Sequence, residues 1–592
     1  MSFGRCLRFL IFILTGLATL PRPALAVWTA NGVPVCAASG DQSGVQAIPD
    51  GTGGAIVVWV DYRNAGQADI YAQRITRAGE VQPGWPANGV AVCTAAGDQV
   101  TPQVVSDGGS GAIAAWDDRR NGAGNSDIYA QRVTAGGTVA WPANGVALCA
   151  AAGAQNSPVL VSDGGSGAIA AWEDYRGPDA DVYAQRVTSG GTVAWAADGV
   201  PAGAAAFDQA RPSAVADGAG GVHVAWEDGR AGFPQPTLVY VMRLTSAGAP
   251  ASGWTANGVA AAPATGSQYV PAVVSDGANG GIVVWEDYRR ADGDIYAQRL
   301  TASGVVAAGW PAAGDSLCTA TGNQVSPVAI ADGAGGAIVA WEDDRGGALD
   351  LYAQRVTATG ALAPGWLATG MPVCTAMNDQ RAPQLVSDGG APTGAPTEGG
   401  SGSGAIVGWY DYRTGSDTDI YALRLTSGGG VAPGWTLNGT ALCTAGGDQQ
   451  RPAVIADGGG GAIAAWSDRR SGANYDVYGQ RVSADGTVAP TVGVPHGSAL
   501  AFRVSEPGPN PTAGVSHVWF TLPEPRETEA TIYDLQGRAV RALLPTSPLP
   551  AGTHALAWDG RAASGVPAAA GVYFLRVRAG AEARVRRIVR LE

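Results

Sequence analysis

From Val100 to Cys149 the apolar and polar positions run through a short cycle. Val100 to Ser106 is an apolar run, ended by the turn sequence Asp107-Gly108-Gly109-Ser110-Gly111. Glycine supplies positive φ in such a turn and aspartate bonds the local backbone. Ala112 to Trp116 is a second run, apolar at every position and suited to burial on both faces. A polar loop through Arg120 and Asn121 reaches Ser126. Asp127 to Thr134 follows as a third strand, with the Ile, Tyr and Val typical of a pleated surface. Past a glycine-rich turn, Trp141 to Cys149 reads as a fourth, outer strand.

The cycle recurs eight times, marked by Trp-x-Asp-x-Arg beginning at Trp59, Trp116, Trp172, Trp226, Trp285, Trp341, Trp409 and Trp466. Their starts are 57, 56, 54, 59, 56, 68 and 57 residues apart. A recurring unit of this size is one supersecondary element stacked many times, and four antiparallel strands per unit read as propeller blades. Val27 to Cys36 has the pattern of a fourth strand without its first three, and the last repeat, Arg451 to Val488, has three strands without a fourth. The ends are therefore expected to share a blade. The predicted fold is all-β: an eight-bladed β-propeller closed by a shared blade, then a small Ig-like β-sandwich. An open solenoid would need distinct polar caps. The repeats alone leave that solenoid and a stacked β-prism as alternatives.

Eight further Trp (28, 85, 141, 195, 254, 310, 366 and 435) open the fourth strands, so 16 of the 18 Trp hold repeat positions. Inter-blade packing explains so regular a set better than a sugar platform, which needs only a few rings. The 88 glycines and 15% charged residues suit short strands and tight turns. All 37 basic residues are Arg, which excludes chemistry that needs a lysine. Residues 27–496 carry 42 Asp+Glu against 23 Arg, a net of −19, while residues 497–592 carry 8 against 11, a net of +3. The acidic repeat region argues against nucleic acid as a partner.

Arg5 and Arg8, the apolar stretch Leu7 to Leu20 and the small-x-small site Ala24-Leu25-Ala26 read as a cleaved signal peptide. The apolar run is short for a membrane span and no second one follows, so no transmembrane segment is expected. The expected organisation is a signal peptide at 1–26, the propeller at 27–490, a linker at 491–510 and the Ig-like domain at 511–592. The protein is expected to be exported by way of the periplasm, to the cell surface or beyond.

The candidates for a binding face are Asp61, Arg63, Asp118, Arg120, Asp174, Arg176, Asp287, Arg289, Asp343, Arg345, Asp411, Arg413, Asp468 and Arg470. They sit where the second strand enters its loop, and Gly-Asp-Gln runs such as Gly97-Asp98-Gln99 lie in the loop before the next first strand. Both loops open on one face. Ion pairs between blades are the favoured reading, because a residue in every repeat is architecture before it is chemistry. A multivalent ligand face is the functional one. The fourth repeat departs most: Leu238-Val239-Tyr240-Val241-Met242-Arg243 replaces Asp-Ile-Tyr-Ala-Gln-Arg, and Phe233-Pro234-Gln235-Pro236 precedes it. Phe233 is therefore a contact candidate. His223, also in that repeat, reads as a core residue. An insertion, Ala391 to Gly402, lengthens a turn of the seventh repeat.

Cys36, Cys93, Cys149, Cys318, Cys374 and Cys443 share one fourth-strand position, which Gly203 and Ala262 take in the other two repeats. Equivalent positions on neighbouring blades lie beyond the roughly 7 Å Cα limit for a disulfide. A small buried slot is expected instead. Sialidases carry an Asp-box, but Ser106, Asp107 and Trp116 match its spacing poorly, and no unique Arg, Tyr and acid set emerges. Asp292-Gly293-Asp294 and Asp417-Thr418-Asp419 raise calcium but lack EF-hand spacing. No cofactor and no catalytic residue is assigned.

In the C-terminal segment, Pro509-Asn510-Pro511 and Ile532-Tyr533-Asp534-Leu535-Gln536-Gly537-Arg538 resemble the sorting domain of type IX secretion cargo. Ala551-Gly552-Thr553-His554, Trp558-Asp559-Gly560 and Gly571-Val572-Tyr573-Phe574 resemble the related FlgD-type Ig-like domain. Arg586-Arg587-Ile588-Val589-Arg590 is similar to the basic-apolar end of such signals. The resemblance covers about one sixth of the chain and implies type IX-like secretion machinery as a partner, hence location rather than activity. The expected function is non-enzymatic binding of an extracellular glycan or protein. A surface polysaccharide hydrolase or lyase, or a purely structural surface component, is the alternative.

Overall fold

The computed structural model describes residues 28–591, apart from 390–403, 489–501 and scattered positions (65, 123, 264, 506, 509, 513, 523–524 and 550–551). The signal-peptide reading, the seventh-repeat insertion and most of the linker lie outside the described residues. All regular elements described are β-strands.

Eight four-stranded antiparallel sheets, each resembling a propeller blade, are found among the described residues. The second sheet is typical, with Gln99–Ser106, Ala112–Asp118, Asp127–Val133 and Val146–Cys149 in sequence order. The first begins at Gln42, and the third to eighth begin at Gln155, Gln209, Gln268, Gln324, Gln380 and Gln449. The eighth takes its outer strand from the other end of the chain: Val33–Cys36 pairs with Asp476–Val482. The first strand of each sheet lies against that of the next, and Gln449–Ala456 lies against Gln42–Pro49. First strands are therefore innermost.

Second strands are the core. Ala112–Asp118 is buried at every position, as its unbroken apolar run requires. The eight Trp of the repeated motif are each 0% exposed. The other eight do not open the fourth strand, which starts only at Val146 in the second sheet. Asn144 and Gly145 both take positive φ, so the chain turns there and cannot yet pair. Trp141 instead donates its indole N–H to Ser189 O of the next sheet, 3.0 Å away, and Gly191 lies under its ring.

The C-terminal residues form a three-stranded sheet (Arg503–Val504, Ser516–Leu522, Gly552–Trp558) and a four-stranded one (Ala539–Leu549, Arg526–Tyr533, Gly571–Ala579, Glu582–Arg590). Phe520, Trp558, Ile532, Leu575 and Ile588 are buried between them. The edge strand Ala539–Leu549 was not expected. Its two prolines and shifted register hide the strand pattern, and only an edge tolerates them.

Candidate functional site

The repeated Asp and Arg form a closed unit inside each sheet. Asp118 is 0% exposed and takes the Trp116 indole N–H at 2.8 Å, the Arg120 backbone N–H at 3.0 Å, and Arg120 Nε and Nη2 at 2.7 and 2.6 Å. The guanidinium lies 3.6 Å above the Tyr129 ring and also donates to Asn144 O. Both carboxylate oxygens are used, each accepting two of these hydrogen bonds. The ion pair recurs at Asp61/Arg63, Asp174/Arg176, Asp228/Arg230, Asp287/Arg289, Asp343/Arg345, Asp411/Arg413 and Asp468/Arg470, with N···O distances of 2.5–2.7 Å, although Arg413 Nε has no partner among the described residues. None of these carboxylates presents a free acceptor to solvent. The pairs lie within one sheet rather than between two.

The cysteines touch the Asp-Arg unit of the next sheet. Cys93 of the first sheet lies 3.8 Å from Asp118 Oδ2 and 3.5 Å from Arg120 Nη2 of the second. All six described cysteines are buried and free. Burial pushes the Cys93 thiol up to about 12. Asp98 of the Gly-Asp-Gln run also bridges sheets, accepting from Ala68 N at 3.1 Å.

A second ladder escaped the sequence reading. The turn aspartate of each sheet pairs with the third-strand Arg, as in Asp107–Arg132 at 2.8 Å, and Arg132 reaches Ser189 O of the next sheet. Burial would raise the Asp107 carboxyl, but the Gly109 and Gly111 N–H groups and Arg132 outweigh it and hold it low. An aspartate and an arginine 23–26 residues apart in every repeat but the seventh were the available signal.

The second position of Trp-x-Asp-x-Arg was missed too. It is Asp117, Glu173, Glu227, Glu286 and Glu342 in sheets two to six, and Val60, Tyr410 and Ser467 in sheets one, seven and eight. Four of these carboxylates accept from an inner-strand N–H of the next sheet: Glu173 from Arg211, Glu227 from Val270, Glu286 from Ser326 and Glu342 from Ala382, at 2.7–2.9 Å. Each of those donors has positive φ. Burial pushes Asp117 up to about 7 and raises Glu227 and Glu342.

Departures from the repeat gather where the fourth and fifth sheets meet. Leu238 replaces the third-strand aspartate, so Gln268 Oε1 accepts from Val239 N at 2.9 Å. The outer strand shrinks to Val259–Ala260, and Ala262 takes the cysteine slot. A cleft of about 660 Å³ opens there, with Phe207, Phe233 and Tyr269 among its walls and Asp208 and Glu227 as its charged groups. Phe233 is 101% exposed and Phe207 51%. The Phe207 ring sits on Gly232, where a Cβ would come within 2.8 Å of it. Asp179 Oδ2 accepts from Phe207 N, and Asp208 O from Gly229 N, which fixes the cleft's rim. His223 of the same sheet is 0% exposed, with Nε2 3.1 Å from Asn279 O, and burial pushes it down to about 4. It is a core residue. No group of three or more His, Cys, Asp or Glu suited to a metal occurs among the described residues.

Residues 511–582 match the FlgD Ig-like domain. No curated protein matches the chain. Similar solved structures include a protein of unknown function from Dyadobacter fermentans, at 12% identity and TM-score 0.30, covering 55% of this chain and 96% of that one. An α-L-arabinofuranosidase from Fusarium graminearum has 10% identity and TM-score 0.33, covering 55% and 92%. A puromycin-hydrolyzing peptidase from Mycobacterium tuberculosis has 12% identity and TM-score 0.37, covering 72% and 58%. Likenesses this distant place no activity on this chain.

Proposed function

We propose that the chain is an exported binding protein for an extracellular polymer, and that a glycan is the ligand. In this reading the eight sheets close as an eight-bladed β-propeller, and the FlgD-type domain, acting as a sorting signal for type IX-like machinery, brings it to the cell surface. Closure would appear in electron-microscopy class averages as an eight-lobed ring, and an open arc would refute it. The observation that carries the binding proposal is one aromatic cleft in which departures of the fourth repeat, Phe207 and the Phe233-Pro234-Gln235-Pro236 loop, meet Tyr269 of the fifth sheet. Exposed rings beside neutral polar side chains suit sugar faces and hydroxyls.

The Asp-Arg units have a scaffold role in this reading, because their acceptors are saturated. A hydrolase or lyase reading has one observation in its favour, the arc from Asp117 to Glu342, in which burial raises Asp117, Glu227 and Glu342. Against it, four of those five carboxylates already hold backbone N–H groups of the next sheet. The test is a glycan array probed with residues 27–592, with and without calcium, alongside Phe233→Ala. Specific retention lost in the variant, with no product released, is expected. Product release would move the reading to catalysis. Silence on every glycan would end the glycan reading.

A further inference from the structure

The charge of the cleft narrows its ligand, given the glycan reading above. Its charged lining groups, Asp208 and Glu227, are both acidic. Arg211 Nη1 donates to Glu227 Oε1 over a long 3.4 Å from a side chain that is 64% exposed, and it leaves Glu227 Oε2 and the Asp208 carboxylate to a ligand. Glu227 Oε1 is held by Val270 N–H and Asp208 Oδ1 by Ala180 N–H, which fixes both carboxylates in place. Beside them stand Phe207, Phe233 and Tyr269, whose ring faces attract cations as well as sugar C–H faces. A ligand with positive charge gains from both sets of groups at once. A uronate or sulfated chain meets two like charges there, and a neutral glycan gains from stacking alone.

We infer that the cleft between the fourth and fifth sheets binds a glycan bearing free, protonated amino groups, a hexosamine oligomer. Ring faces position the sugars, and Asp208 and Glu227 take the ammonium groups. A cationic peptide shares the charge but not the pyranose faces that Phe233, fully exposed, and Phe207 present.

The test is calorimetric titration of residues 27–592 with a glucosamine hexamer and an N-acetylglucosamine hexamer, at a pH low enough to keep the amine protonated and high enough to keep both carboxylates ionised. The expected result is about tenfold tighter binding of the free amine, near 1.4 kcal/mol. Asp208→Asn with Glu227→Gln should collapse that difference, and Phe233→Ala should weaken both hexamers. Each amide keeps the oxygen that accepts the backbone N–H, and Asp208→Asn alone, at an exposed site, serves if the double variant misfolds. Equal binding of the two hexamers would overturn the cationic assignment and leave the glycan reading standing. Binding of neither hexamer, with silence on the wider array, would remove the glycan reading itself. Tighter binding of an oligolysine than of the glucosamine hexamer would overturn the inference in favour of a cationic polypeptide.

Discussion

Replacing Asp118 by Asn removes one negative charge from a site with no exposed surface and leaves the shape unchanged. The carboxylate holds four donors, from an indole, a backbone amide and two guanidinium nitrogens. The amide keeps one acceptor oxygen and turns an NH2 toward donors it cannot satisfy. It also leaves the Arg120 guanidinium, only 21% exposed, without a counter-charge. Removing one partner of a buried ion pair costs about 3–5 kcal/mol. Arg120 keeps Asn144 O and the Tyr129 face, which places the expected loss at the lower end, near 3 kcal/mol. Asp292→Asn, in an exposed loop, should cost less than about 0.5 kcal/mol. The assay is urea denaturation followed by tryptophan fluorescence, since 16 of the 18 Trp report on the repeats. An unfolding midpoint at lower urea is expected, with ligand retention unchanged in native buffer. A variant as stable as the parent but without ligand retention would refute the scaffold role and return the Asp-Arg units to the binding face.

The six described cysteines should stay inert to a thiol reagent in native buffer and react in full in denaturant, with no mass change on reduction, because each is buried and free. Fast native labelling of Cys93 would contradict its burial and its pKa near 12. Burial also raises Asp117 and Asp350 to about 7, and Asp181 and Asp419 to about 6. A carboxyl with a raised folded pKa adds stability that is complete below the unfolded value and lost as pH rises through the folded one. Melting temperature should therefore climb between pH 8 and about pH 4. Below that window the turn carboxyls Asp50, Asp107, Asp163, Asp217 and Asp457, held low in the fold, should reverse the trend as they protonate. A melting temperature that falls steadily from pH 8 to pH 5 would contradict this.

What the sequence makes legible here is whatever every repeat states again. The unbroken run Ala112 to Trp116 is a buried second strand, and the spare strand at Val33–Cys36 does complete the eighth sheet. The shared fourth-strand position of the cysteines is a buried slot in each sheet that carries one, as the small-residue reading expects. Polar roles were harder to read. Asp118 and Arg120 look like surface groups from their types, but two residues of spacing let them close on each other beneath Trp116 and Tyr129, and burial follows from that geometry. The Asp107–Arg132 ladder pairs residues 25 apart across a sheet, which only strand register reveals. The cleft was half legible. Phe233 stood out as a break in a regular pattern, and Phe207 breaks the Gly-Asp-Gln run in the same repeat, whereas Tyr269 and Glu227 come from other segments and look ordinary in each. In a repeat protein the scaffold is the part of the sequence that recurs. A ligand site is written in the exceptions, and only the fold shows which exceptions are neighbours.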